Sequence, residues 1–260
     1  MSVLTKIFER KAIEVADAKR LVGIDKIQAL ARETEAPRGF LRALANASGL
    51  ALIAEVKKAS PSQGIIRPNF DPVEVAQAYE RAGAHALSVL TDEHYFQGSA
   101  ENLRLAKKST NLPCLRKDFV NDPYQVYQAR AWGADAILLI VASLHASEVR
   151  DLRGLAEELG MDVLVEVHSE DEAEIAIDLK CPLIGVNNRD LSNFATSLTI
   201  STRLLPQVVA SGALGVSESA LETRSDLDIV QNAGAKAVLI GTSFCAAPNI
   251  EEKVREVMGW

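Results

Sequence analysis

Short apolar runs recur along the chain, each preceded by a Gly-Ala turn or a polar loop. RAGAHALSVL (81–90), AWGADAILLI (131–140) and NAGAKAVLIG (232–241) share one order: a helix end, a glycine, then a strand. Glycine after a helix accepts left-handed backbone angles and ends it. An uninterrupted apolar run of four to six residues fits a parallel strand covered on both faces. The same signal occurs at LIAEV (52–56), PCLRK (113–117), DVLVEV (162–167), LIGVN (183–187) and ALGVSE (213–218), which makes eight strands. Stretches of helical period separate them, such as DPVEVAQAYERA, DPYQVYQARA, ASEVRDLRGLAEEL and ETRSDLDIVQNA. Several open on Asp, Ser or Thr, the residues whose side chains cap a helix N-terminus.

Eight alternating strand and helix units in 260 residues describe an α/β fold, a (β/α)8 TIM barrel. A doubly wound sheet needs fewer strands and a Gly-rich first turn, which this chain lacks. Residues 1–48 fall outside the repeat. IFERKAIEVADAKRLV carries Ile7, Phe8, Ala12, Val15 and Leu21 at helical spacing, and GFLRALAN reads as a second short helix. The expected organisation is a single barrel domain over 1–260, of which 1–48 form an N-terminal helical extension packed over one barrel end.

Polar residues interrupt the apolar runs at one kind of place. The first strand ends with Glu55 and Lys57, two residues apart and so on one face. The third ends with Leu115 and Lys117, the fifth with Leu164 and Glu166, the sixth with Gly185, Asn187 and Arg189, the seventh with Val216 and Glu218. Alternate barrel residues point inward, and the C-terminal strand ends form the mouth where active sites sit. Five strands therefore send an acid, a base or an amide to one mouth, where the charges are expected to pair and remain hydrated.

Composition narrows the chemistry. The net charge of −7 argues against general affinity for nucleic acid or for an anionic membrane. No apolar run approaches the roughly 20 residues of a membrane span, and the N-terminus lacks a secretory apolar core. Cys114, Cys181 and Cys245 are far apart in apolar surroundings, as reduced thiols packed like small hydrophobes. A cytoplasmic protein is expected. Four scattered histidines show no metal-binding spacing, and no GxSxG motif suggests an acyl enzyme. Lysines in such a mouth can act as acids or bases. Gly241, Thr242 and Ser243 after the eighth strand and SESA (217–220) after the seventh lie where barrels commonly hold phosphate. Ser60 in the first loop could add a hydroxyl.

These segments resemble the indole-3-glycerol-phosphate synthase family of tryptophan biosynthesis. The resemblance is carried by IAEVKKASPSQGIIR (53–67), SVLTDEHYFQGS (88–99), LRKDF (115–119), GADAILLIV (133–141), LVEVH (164–168), IGVNNRDL (184–191), VSES (216–219) and LIGTSF (239–244), in family order over essentially the whole chain. It implies closure of an indole ring from 1-(2-carboxyphenylamino)-1-deoxyribulose 5-phosphate, with release of carbon dioxide and water and no cofactor. The implied partner is this small sugar phosphate; protein partners are not readable. By the same resemblance Lys117 is the general acid at the substrate carbonyl, and Lys57 holds the aryl carboxylate or shares the acid role. Glu166 moves protons in the dehydration. Glu55, Asn187 and Glu218 orient lysines and sugar hydroxyls, and Arg189 and Ser60 are candidates at the carboxylate. Leu90, Phe96, Phe119, Leu138, Ile140 and Leu191 form an apolar slot for the benzene ring. Ser219, Gly241 and Thr242 bind phosphate.

The chain departs from the family at Ala220, where the family has glycine. If that position needs a positive φ, alanine costs about 1 kcal/mol and narrows the phosphate notch. Three other readings compete. A phosphoribosylanthranilate isomerase needs a Cys/Asp pair, and no cysteine lies at the first strand's mouth. A Schiff-base aldolase could use Lys117 without Glu55, Lys57 or Asn187. A barrel that only binds a sugar phosphate would not require both lysines and three glutamates.

Overall fold

The computed structural model describes residues 3–190 and 195–260. Eight parallel strands close into a barrel: β1 (Ala51–Val56), β2 (Ala86–Leu90), β3 (Cys114–Lys117), β4 (Ala136–Ile140), β5 (Asp162–Val167), β6 (Leu183–Asn187), β7 (Leu214–Glu218) and β8 (Ala237–Ile240). Each pairs with its successor, and β8 returns to β1 with Ile53 beside Leu239. The alternation works as the sequence predicts. Ile53, Leu115, Leu138, Leu164, Val216 and Leu239 fill the interior, while Leu52, Leu87, Ile137, Val165, Ile184 and Val238 pack outward under the helices.

Local chemistry sets the helix limits. Asp71 accepts the backbone N–H groups of Val73 and Glu74, and Pro72 opens the helix Pro72–Ala82. Asp122 and Gln125 form a reciprocal cap on Pro123–Ala131. The recurring turn glycines Gly83, Gly133 and Gly234 have φ of 96°, 89° and 106°, the left-handed values the turn demands.

The N-terminal extension covers both barrel ends, not one. Helix α3 (Phe40–Ala45) plugs the bottom, where Phe40 and Leu44 pack into the space left by Ala51, Ala86, Ala136 and Ala237. Asp162 Oδ2 accepts the Leu41 N–H at 2.8 Å and fixes this plug. Helix α1 (Val3–Leu21) lies at the top, with Leu4 and Ile7 in the wall of the mouth cavity. Between them α2 (Ile24–Glu33) packs Ile27 with Val15 and Tyr124. Its apolar signal is only two buried residues, Ile27 and Ala31, and the sequence reading does not include it.

The expected α1 stripe needs correction. Ile7 and Val15 are buried and Phe8 is half-buried, but Ala12 and Leu21 are exposed. The buried position between Ile7 and Val15 is Lys11, whose ammonium meets Asp92 at 2.8 Å and Asp118 at 3.0 Å. Helix α1 therefore rests on a charged rim as well as on the apolar contacts of Ile7, Phe8 and Val15. Among the described residues no helix is long and apolar enough to cross a membrane.

Candidate active site

The polar strand ends meet. Lys57 Nζ lies 2.5 Å from Glu55 Oε2 on β1. Lys117 Nζ, from β3, lies 2.9 Å from Glu166 Oε2 on β5 and 2.8 Å from Glu218 Oε2 on β7. Asn187 ends β6 and accepts the Arg189 N–H at 3.0 Å through Oδ1. All six side chains line one cavity. One expectation fails here: the acids are not hydrated rim charges, since Glu166 is 2% and Glu218 1% exposed. Pairing, more than water, stabilises them. A buried carboxylate without a partner would cost several kcal/mol.

Two glycines make room for the carboxylates. A Cβ on Gly185 of β6 would overlap Glu218 Oε1, and one on Gly241 after β8 would overlap Glu55 Oε2. Gly241 thus has a steric reason to be glycine whether or not it meets phosphate.

Electrostatics separates the two acids on Lys117. Burial pulls the Lys117 pKa down, but the carboxylates of Glu166, Glu218 and Glu55 outweigh it and push it well up. The lowered lysine pKa that a dry pocket can produce is not found. Burial also raises Glu166, yet Lys117 and His168 overcome this and hold it well below the usual carboxylate range. Glu218 goes the other way. Burial, reinforced by the Glu166 charge and only partly offset by Lys117, pushes it up to about 7. Its Oε1 is buried without a hydrogen-bond partner. Two carboxylates on one ammonium with pKa values forced apart is an arrangement suited to acid–base work.

Leu90, Phe96, Phe119, Leu138 and Ile140 line the apolar side of the cavity, with the Phe96 and Phe119 rings 6.2 Å apart. Leu191 lies outside the described residues. The sequence reading omits Leu4, Ile7 and Leu239, which complete this wall. Phe8 also braces Phe119 edge-on at 5.7 Å.

Ser60, Arg189, Ser219, Gly241 and Thr242 line the same cavity. Ser60 sits in a small hairpin formed by Ala59–Ser60 and Gly64–Ile65, which hangs over the mouth after β1. Ser219 and Ala220 both have left-handed backbones, φ 65° and 59°, so the condition attached to Ala220 is met. Asn188, fully buried behind β6, holds this turn: its Nδ2 donates to Glu218 O at 3.0 Å and to Ser219 O at 3.2 Å.

Two further groups escaped the sequence reading. Lys11, with Asp92 and Asp118, ties α1 to the rim; its signal was a charge at the centre of the i, i+4 series Ile7, Lys11, Val15. His168 follows Glu166 by two, the spacing that singled out Glu55 and Lys57. Burial lowers the His168 pKa, but the neighbouring carboxylates of Glu166 and Glu172 raise it to about 10.

A closed parallel barrel with an acid–base cluster at its C-terminal strand ends defines a TIM-barrel enzyme. The family model for indole-3-glycerol phosphate synthase matches residues 4–257. The chain is 49% identical over 255 residues to an indole-3-glycerol phosphate synthase of Neisseria meningitidis serogroup C, covering 97% of each. It is 51% identical over 210 residues to one of Dehalococcoides mccartyi, covering 80% of this chain and 81% of that one. The chain belongs to the indole-3-glycerol phosphate synthase family, carboxy-lyases of tryptophan biosynthesis. Among solved structures it is similar to a mutant tryptophan synthase α-subunit of Pyrococcus furiosus, at TM-score 0.62 and 13% identity over 81% of this chain and 98% of that one. It is also similar to a thiamine phosphate pyrophosphorylase of the same organism, at TM-score 0.60 and 14% identity, covering 81% and 94%. Both likenesses are of fold alone.

Proposed function

We propose that this cavity closes the indole ring of 1-(2-carboxyphenylamino)-1-deoxyribulose 5-phosphate and then removes carbon dioxide and water. The observation that carries the reading is the position of Lys117 between Glu166 and Glu218, facing an apolar wall that includes Leu138 and Phe119. Ring closure joins the carboxylate-bearing aryl carbon to the ketone carbon. The ketone oxygen must gain a proton as that bond forms. Lys117, kept protonated by its carboxylate neighbours, is the donor. The bond to the carboxylate then breaks, and its electron pair restores the benzene ring.

Dehydration needs a proton delivered to the leaving hydroxyl and one removed from the new ring. Lys117, recharged by a solvent proton after ring closure, delivers one to the leaving hydroxyl, and Glu166, held ionised, takes the ring proton and returns it to the lysine 2.9 Å away. Glu218, with its raised pKa, and Glu55 orient Lys117, Lys57 and the sugar hydroxyls with Asn187. Lys57 and Arg189 meet the aryl carboxylate, with Ser60 above it. Ser219, Gly241 and Thr242 anchor the phosphate, so that remote binding energy holds the chain folded over the slot. The three cysteines are free and buried, which supports action in the reducing cytoplasm.

The test is to supply the carboxyphenylamino-deoxyribulose phosphate and follow indole fluorescence. The native chain should generate the signal and Lys117→Ala should abolish it. Borohydride should trap no substrate adduct. A trapped adduct on Lys117 would replace this mechanism by a Schiff-base one.

A further inference from the structure

After Glu166 the chain continues through Val167, which packs outward, to His168 and then into the helix Glu170–Asp178. Ser169 caps that helix, and Glu172 in its first turn reaches back. Glu172 Oε2 accepts the backbone N–H of His168 at 2.8 Å and lies 3.2 Å from His168 Nδ1. The other ring nitrogen, Nε2, lies 3.4 Å from Glu166 Oε1. That is the carboxylate oxygen that Lys117 does not take. The imidazole therefore stands between two carboxylates, outside the lining of the cavity, with Nε2 in ion-pair range of Glu166 but without hydrogen-bond geometry.

We propose that His168, braced by Glu172, is a positioning residue that fixes the orientation of Glu166 and selects Glu166 over Glu218 as the ionised carboxylate beside Lys117. The proposal rests on the proton-transfer role of Glu166 given above. Its physical basis is an asymmetry. Glu166 and Glu218 share one ammonium in a buried site, and like charges so placed resist joint ionisation. A second cation against Glu166 alone decides which acid keeps its charge. Among the described residues no second cation stands against Glu218 as His168 does against Glu166, and Glu218 Oε1 has no hydrogen-bond partner beside Gly185. The charged groups facing Glu166 are Lys117 from β3, Glu218 from β7 and His168 from its own strand end. Glu55 and Lys57 from β1 and Arg189 beyond β6 share the cavity, and α1 contributes apolar Leu4 and Ile7. The turn Val141–Ser143, packed against β5 and the Glu170–Asp178 helix, contributes no titratable side chain.

Two measurements test this. The 15N-histidine spectrum should show one ring that stays an imidazolium into the alkaline range, and Glu166→Gln should lower its pKa by more than about one unit. In kinetics, His168→Gln should lower kcat about 10-fold with KM changed less than about twofold. The acid limb of kcat should move up by about one pH unit, because Glu166 loses a cation that keeps it ionised. Glu172→Gln leaves the imidazole in place and should move the limb the same way by less; it decides the matter if His168→Gln does not fold. An unmoved acid limb in the folded variants, or a ring titrating near 6.5 and indifferent to Glu166→Gln, overturns the positioning role. Undiminished kcat in Glu166→Gln would instead overturn the reading of Glu166 on which the proposal stands.

Discussion

The Lys117 ammonium and the Glu166 carboxylate, 49 positions apart in sequence, lie 2.9 Å from each other across the barrel mouth. Glu218, 101 positions beyond Lys117, closes on the same nitrogen at 2.8 Å. The barrel creates this meeting because the strands run parallel and point their last inward residues at one cavity. Removing the cation leaves two buried acids to each other. Lys117→Met should therefore abolish ring closure and also lower stability by about 3 kcal/mol at pH 8, with less loss at pH 5, where the acids take up protons. Chemical denaturation at the two pH values checks this.

Glu218 gives the opposite dependence. The folded protein keeps its proton up to about pH 7, whereas the unfolded chain releases it near the ordinary 4.5. Between those values the folded state binds more protons, so this group's contribution to stability falls as pH rises through 7. Glu218→Gln should be more stable than the native chain above pH 7, by about 2 kcal/mol and so with a higher Tm, and the gap should close towards pH 4.5. Thermal melts across that range check both the sign and the window.

Gly185 and Gly241 limit the site sterically. Gly185→Ala drives a methyl into the Glu218 carboxylate and Gly241→Ala drives one into that of Glu55. Displacement of a catalytic group by about 1 Å costs about 100-fold in rate, so each variant should lose at least that much kcat while remaining folded. Steady-state kinetics with a circular dichroism control measures it.

Ala220 is strained at φ 59°. Glycine there removes a left-handed penalty of about 1–2 kcal/mol but adds about 0.5–1 kcal/mol of unfolded-state freedom. Ala220→Gly should be neutral to slightly stabilising, and it should lower KM by widening the phosphate notch. An unchanged or higher KM would remove Ala220 from the account of binding.

Much of this was legible in the chain because the barrel's period is simple. Apolar runs at regular intervals marked eight strands, and the i, i+2 step from Leu115 to Lys117 or from Leu164 to Glu166 placed each polar residue on the inner face. The depth of burial was not legible. Nothing local in VEV or SES says that Glu166 and Glu218 lose nearly all contact with water, which depends on strands distant in sequence and on α1 lying above. The division of the extension between two barrel ends was hidden for a similar reason. Phe40 reads as a helix residue, and only the ring of Ala51, Ala86, Ala136 and Ala237 makes it a plug. Lys11 and His168 were overlooked because a lone charge beside apolar residues is usually a solvated one; the acids that meet Lys11 come from distant loops, and those that meet His168 are local but turn towards it only in the folded barrel.

The most direct measurement is a crystal structure with the substrate analogue whose ketone is reduced to an alcohol. The account predicts that Lys117 Nζ lies about 3 Å from that alcohol oxygen, with Lys57 on the aryl carboxylate and Glu166 against the carbon chain between them. A ligand held with its alcohol turned away from Lys117, or bound elsewhere on the barrel, would contradict it.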